Sequence, residues 1–165
     1  MPTVLRALRL LSIVVWVGGI TFFAFVVAPV AFGNLPSPHE AGIVVRYTLL
    51  ALHSIGMVCG TVFLLASILL LQASRRPRNV AIQAALIALM LLITATSQFG
   101  ILPRMERDRL AANGIIESIP PTDPARIDFE RLHPLSERLE GATLLLGLAT
   151  ILLMARDEPI PPAAA

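Results

Sequence analysis

The chain has 165 residues, a formal net charge of +2 and 56% apolar side chains, with a mean hydropathy of +0.78. That apolar share lies outside the range of soluble domains, and four long apolar runs use most of the length, leaving no room for a separate soluble catalytic domain. The excess of basic residues does not mark a nucleic-acid binder, because the 13 basic side chains are all arginine and stand in loops and at the ends of apolar runs, where they anchor a membrane protein.

The first apolar run covers residues 10–32. Arg6 and Arg9 before it resemble the basic start of a signal peptide, but the run is about twice a signal core in length and no small-x-small cleavage site follows. The expectation is a retained first helix from near Val4 to residues 29–34, with Asn34, Pro36 and Pro38 in a loop. Trp16 reads as a packing or interfacial residue near the membrane boundary. The second run, residues 44–71, starts near residues 40–43 and contains the only cysteine, Cys59, which excludes an intrachain disulfide and reads as a buried inert thiol. A basic turn at residues 75–78 follows. Asn79 is a candidate N-cap for the third run, residues 80–102, whose helix is expected to continue past a Pro103 kink to Asn113 and Gly114. Residues 115–125 hold three prolines and form a loop. From Asp128 an amphipathic segment leads into the last apolar run, residues 141–155, which is too short to cross alone and needs that extension. The tail from Asp157 reads as a disordered Pro/Ala segment.

The expected fold is therefore an all-α integral membrane protein: a single domain with a four-helix transmembrane bundle, an amphipathic segment before the last span, and spans at about residues 5–32, 43–72, 80–102 and 137–155. Four spans put both termini on one side, and arginine density in the short turn makes that side cytoplasmic. Arginine-only usage with abundant Ala and Pro points to a bacterial chain, hence to the cytoplasmic membrane.

Polar residues inside spans are costly and are functional candidates by default. Arg46, His53 and Gly60 recur every seven residues on one face of the second helix, beside a Gly56–x–x–x–Gly60 seam that lets another helix approach. The third helix carries Thr94, Ser97 and Gln98 on one face, and the fourth carries His133, Ser136 and Glu140. The direction of each helix puts these three faces in the same half of the membrane, next to the first and third loops. The candidate pocket is thus Arg46, His53, Thr94, Gln98, His133, Ser136 and Glu140, with Arg46 and Glu140 at its mouth and His53 and Gln98 deeper. Plainer roles compete: a core histidine bonded to Thr94 or Gln98, a structural Arg46–Glu140 ion pair, and a His133 that caps or meets headgroups. His53, Met57 and Met90 form a weak soft-ligand set for copper, and His53 with His133 is a weak pair for haem. No cofactor is expected.

The opening LRLLSIVVWVGGITFF at residues 8–23, followed by Pro29 and Phe32, resembles bacterial proteins of the domain of unknown function 4149 family, which are similar to eukaryotic transmembrane protein 205. Phe129, Leu132, His133 and Ser136 resemble the family's F-x-x-L-H-x-x-S signature, and Pro103-Arg104 closing the third span fits as well. Glu140 stands where the family pattern has Asn, which makes a site there more acidic. The resemblance implies a four-span protein without an established enzymatic activity; the eukaryotic relative's link to drug and metal resistance makes export or metal handling thinkable. The first helix is also reminiscent of copper-resistance D proteins and of four-span protoporphyrinogen oxidase, but Arg9 stands where the oxidase has a histidine.

The function expected from these readings is a non-enzymatic multi-pass protein with a polar pocket for a small solute or ion, in transport or in stress or metal homeostasis. The alternatives are a haem- or copper-linked redox protein of the copper-resistance D type and a structural or assembly factor without ligand. The lipid bilayer is the expected partner, and a second copy of the chain is a candidate one. The orientation has a direct check: in a Cys59→Ala background, a Ser74→Cys thiol should resist an impermeant maleimide in intact cells and react after lysis. Labelling in intact cells reverses the assignment.

Overall fold

The computed structural model of the protein describes residues 2–72 and 77–157. Residues 73–76 of the basic turn and the tail beyond Asp157 lie outside the described residues, so the readings of Arg75, Arg76 and the tail fall there as well. The first span joins α1 (Pro2–Phe22), a π turn (Phe23–Val27) and α2 (Ala28–Asn34). The second is one helix, α3 (Pro38–Leu71). The third joins α4 (Pro77–Thr96), a second π turn (Ser97–Ile101) and α5 (Leu102–Ala111). A short 3-10 turn (Ile116–Ser118) precedes the fourth, α6 (Pro124–Asp157). Among the described residues there is no strand, and the four spans are 32, 34, 35 and 33 residues long. At 1.5 Å per residue each reaches roughly 50 Å, well beyond a hydrocarbon core of about 30 Å. The bundle therefore projects past the lipid, and the charged halves of α5 and α6 make up much of that projection.

The helix ends follow from local chemistry. Ser37 is the N-cap of α3: its Oγ accepts from the Glu40 N–H at 3.2 Å, with Pro38 in the first turn. This starts the helix at Pro38, ahead of residues 40–43. The third span begins at Pro77, so Asn79 lies inside the helix and is not its N-cap. α5 closes with a Schellman arrangement, in which Asn113 and Gly114 take positive φ (53° and 94°) and the Gly114 N–H reaches Arg109 O at 2.8 Å. Asp123 opens α6 by accepting from the Ala125 N–H at 2.9 Å.

Each π turn ends two residues before a proline, Pro29 in the first span and Pro103 in the third. A proline ring clashes with the carbonyl four residues back and offers no N–H. Widening the preceding turn relieves the clash and carries the chain through without a break. The expected Pro103 kink is thus resolved as a π turn, and the amphipathic segment from Asp128 is continuous with the last span.

Around the bundle, α1 packs on α3, α3 on α4, α4 on α6 and α6 back on α1, the up-down-up-down arrangement that short connections produce. Its core is Ile13, Trp16, Val17, Ile20, Phe63, Ile87 and Met90 with their neighbours. Leu10, Leu11, Val14 and Val15 on α1, and Leu145, Leu148 and Leu152 on α6, face outward, as lipid-facing residues do. Trp16 is 1% exposed and sits mid-span in the core, so it is a packing residue, as one of its two readings had it, and does not stand at the membrane boundary. It lies on the Gly56–Gly60 seam: a Cβ on Gly60 would stand 2.7 Å from both Trp16 Cζ3 and Leu91 Cδ2, and one on Gly56 would strike the Trp16 indole. The seam admits a large indole, not only a second backbone.

Arg9 also departs from expectation. It is buried at 4% exposure, bonds the Gln83 amide oxygen through its guanidinium, and stands 4.6 Å over the Phe63 ring. It is a bundle residue, not a headgroup anchor.

Replacing Gly60 by Leu should cost about 1–3 kcal/mol through overpacking, whereas Gly33→Leu, with nothing within 4 Å of its new Cβ, should change stability by less than about 0.5 kcal/mol. Thermal unfolding of the two variants in one detergent checks this; equal melting temperatures would show that the seam is not a contact.

Candidate functional site

A cavity of about 500 Å³ opens at the end of the bundle that carries the first and third loops. The first π turn and α2 supply an apolar wall with Phe23, Ala28 and Phe32; α3 adds Gly42, Arg46 and Leu49. α5 contributes Leu102 and Glu106, and α6 contributes Phe129, His133, Ser136, Glu140 and Leu144. Glycine 114 and Ile116 close it from the third loop.

Four of the seven sequence-derived candidates line this cavity: Arg46, His133, Ser136 and Glu140. Two more stand behind Glu140. His53, 2% exposed, has Nε2 2.5 Å from Glu140 Oε1 and Nδ1 3.0 Å from Gln98 Oε1. The structure thus joins three helices at one level through a single imidazole. Thr94 is buried one turn before Gln98 and does not reach the cavity. His133 is half-exposed, 3.5 Å from Glu137 Oε1, with its ring 5.9 Å from that of Phe129.

Arg46 does not pair with Glu140. Its Nη1 lies 3.3 Å from Glu106 Oε2, and its guanidinium stacks 4.2 Å over Tyr47. Arg109 holds the same Glu106 with two bonds of 3.0 Å. The mouth is therefore an Arg46–Glu106–Arg109 cluster rather than an Arg46–Glu140 pair. The physical reason is that the third helix continues past Pro103, which brings an acid on α5 to Arg46's own level. Glu106 was the residue that sequence reasoning missed. Its signal was present: an i, i+3 acid–arginine pair within a helical continuation ending level with the start of α3.

The site's chemistry lies in the His53–Glu140 contact. With oxygen acceptors on both ring nitrogens, the arrangement is that of an imidazolium donating to a carboxylate and an amide. Turning the Gln98 amide over presents its NH₂ to Nδ1 and suits a neutral ring that still donates from Nε2 to Glu140. In either arrangement both buried ring nitrogens keep a hydrogen-bond partner. Such a carboxylate, 14% exposed and on the cavity wall, can meet a ligand while His53 keeps hold of Oε1.

For metal, the arrangement offers little. Among the described residues no three His, Cys, Asp or Glu side chains are grouped to hold an ion. Met90 is fully buried in the apolar core, Met57 is half-buried, and both His53 nitrogens already have oxygen partners. Most donors on the cavity wall are hard carboxylates and a hydroxyl; His39, His133 and Met105 also line it, but the described residues do not group them into a ligand set.

In comparison with known proteins, the model of a family described as a domain of unknown function (DUF4149) matches residues 11–113, more than half of the chain. The match takes in the first span from residue 11, the second and third spans and α5; Arg9, His133, Ser136 and Glu140 lie outside it. No curated protein and no solved structure matches the chain.

A double-mutant cycle on thermal or denaturant unfolding should give a coupling of about 1–3 kcal/mol for His53→Ala with Glu140→Gln, the scale of a buried charge-assisted bond. The partly exposed Arg46–Glu106 pair, whose acid is shared with Arg109, should give about 0.5 kcal/mol, and Arg46 with Glu140 close to nothing. A larger coupling for Arg46–Glu140 than for His53–Glu140 contradicts this arrangement.

Proposed function

The chain belongs to the domain of unknown function 4149 family, and we propose that it is a non-enzymatic membrane protein that binds a small solute in the cavity and acts in its transport or in stress homeostasis. The observation that carries the reading is Glu140: a carboxylate on the wall of a 500 Å³ cavity, held from behind by a buried histidine that is itself oriented by Gln98. A purely structural ion pair needs no adjoining cavity, and a cavity of drug-sized volume needs no buried hydrogen-bonded pair. Their coincidence is what a binding site requires: apolar walls that take up area and a few fixed polar groups that orient the ligand. The two π turns at the cavity's level agree, since such turns occur often at functional sites. Both termini are proposed to face the cytoplasm, so that the cavity opens on the outer side; the bacterial inner membrane is the proposed location.

The redox alternative has less support. A haem bridged by His53 and His133 would need two imidazoles free to face one iron, whereas His53 is engaged at both nitrogens and His133 stands half-exposed by Glu137. Visible absorption and metal analysis of the purified protein decide between the readings; a Soret band or stoichiometric copper would favour the redox one.

The binding reading has its own test. Gly141 lines the cavity and nothing lies within 4 Å of a Cβ placed there, so Gly141→Phe should fill the site without disturbing the fold. In a thermal-shift panel of small organic solutes and ions, compounds that raise the melting temperature of the native protein should lose that effect in Gly141→Phe. Shifts that persist in Gly141→Phe, or a panel without any shift, count against a solute site in this cavity.

A further inference from the structure

Resting on the solute-site reading, we propose that the cavity's ligand is a lipophilic organic cation, bound with its charge at Glu140 and its apolar body along the phenylalanine wall. Two arginines, Arg46 and Arg109, line the cavity against four glutamates, Glu106, Glu117, Glu137 and Glu140, so with its histidines neutral it carries an excess of two negative charges. The position of those charges matters more than their number. Arg46 and Arg109 both rest on Glu106 at the mouth, which leaves their guanidiniums engaged. Glu117 is exposed and the Glu137 side chain is 69% exposed, so both are screened by water and salt. Glu140 is the one deep charge on the wall, at 14% exposure, where screening is weak and a counter-charge is worth most. His53 behind it does not line the cavity and is turned to Glu140 and Gln98. From the cavity side an anion would meet no cation at that depth, since the His53 ring faces Glu140 and Gln98 rather than the cavity.

The apolar wall favours the same class. Four of the chain's seven phenylalanines line the cavity: Phe23, Phe25, Phe32 and Phe129. An aromatic face attracts a cation and repels an anion, and the attraction grows once both are out of water. Phe25 is 70% exposed and Phe32 is 52% exposed on the outer surface of the first span, so this wall is continuous with the lipid-facing side. A molecule greasy enough to dissolve in the bilayer meets the cavity there. A strongly hydrated metal ion gains nothing from four phenyl rings. A neutral lipid would bring no charge to Glu140 from the cavity side. The cavity's volume suits a drug-sized body.

Two probes of one shape and opposite charge test the class. Tetraphenylphosphonium and tetraphenylborate are added to the full chain in phosphatidylcholine nanodiscs, with empty discs as the background and equilibrium dialysis as the readout. Tetraphenylphosphonium should bind saturably at one per chain, should not bind Gly141→Phe, and should bind Glu140→Gln about tenfold more weakly, the loss of one charge-assisted contact. Glu140→Asp, which keeps the charge, should retain most of the affinity. Tetraphenylborate should show no saturable binding. Equal or tighter binding of tetraphenylborate, or unchanged affinity for tetraphenylphosphonium in Glu140→Gln, overturns the cation assignment. If tetraphenylborate binds and Gly141→Phe abolishes that binding, the solute site stands and only the choice of charge fails. If neither ion binds in a way that Gly141→Phe removes, the cation assignment fails, and the solute panel decides separately whether the site itself does.

Discussion

A backbone group without a partner in hydrocarbon costs several kcal/mol, so a chain that crosses a membrane must satisfy its own hydrogen bonds almost everywhere. Three prolines stand inside the spans near the same end of the bundle: α6 passes Pro134 as plain α-helix, whereas Pro29 and Pro103 each remove a donor where the helix widens. Both defects are absorbed in the same way, by one widened turn just before the proline. Much follows from that accommodation. The chain passes each proline still helical, so α2 and α5 continue outward as walls. The first π turn presents Phe23 and Phe25 to the cavity; the second carries Gln98 to His53. A plain helix break at either proline would remove one wall and one partner of the polar trio.

Below the cavity the bundle is sealed by close packing. Trp16 packs on Gly56 and Gly60, with Phe63, Ile87 and Met90 beside it in the same buried core. A second buried polar centre stands beyond this plug, where Arg9 meets Gln83 and Phe63. Two buried polar centres are therefore separated by an apolar layer, one acidic and adjoining a cavity, the other basic and enclosed. Burying an arginine is tolerable only with partners for its donors, and the amide and the ring supply two of them.

The serines and threonines of the spans play a quieter part. Thr21, Ser67, Thr143 and Thr150 each return their hydroxyl to the carbonyl four residues back. That satisfies the hydroxyl within its own helix and makes no link between helices. The inter-helix polar contacts fall instead to long side chains: His53, Gln98 and Glu140 at one level, Arg46 and Glu106 nearer the mouth, Arg9 and Gln83 at the far end.

Features that depend on one helix at a time can be read from the order of residues alone. Hydropathy sets four spans, because the cost of exposing backbone to lipid is the same wherever a span sits in the bundle. Heptad spacing puts Arg46, His53 and Gly60 on one face, and i, i+4 spacing does the same for Thr94 and Gln98. Loop direction then equates depths, so the meeting of His53, Gln98 and Glu140 was legible before any coordinates. Which of several residues at one depth touch is set by how the helices pack. Arg46 had two acids within its reach by depth, and the continuation of the third helix past Pro103 gave it Glu106 rather than Glu140. Thr94 shares Gln98's face and neither lines the cavity, but only Gln98 of the two reaches the His53 ring. Arg9 read as an anchor because its charge and place at a span's start are local facts. Whether it faces headgroups or the bundle is set by rotation of the helix about its axis, which packing against Gln83 and Phe63 fixes and which no local pattern around Arg9 encodes.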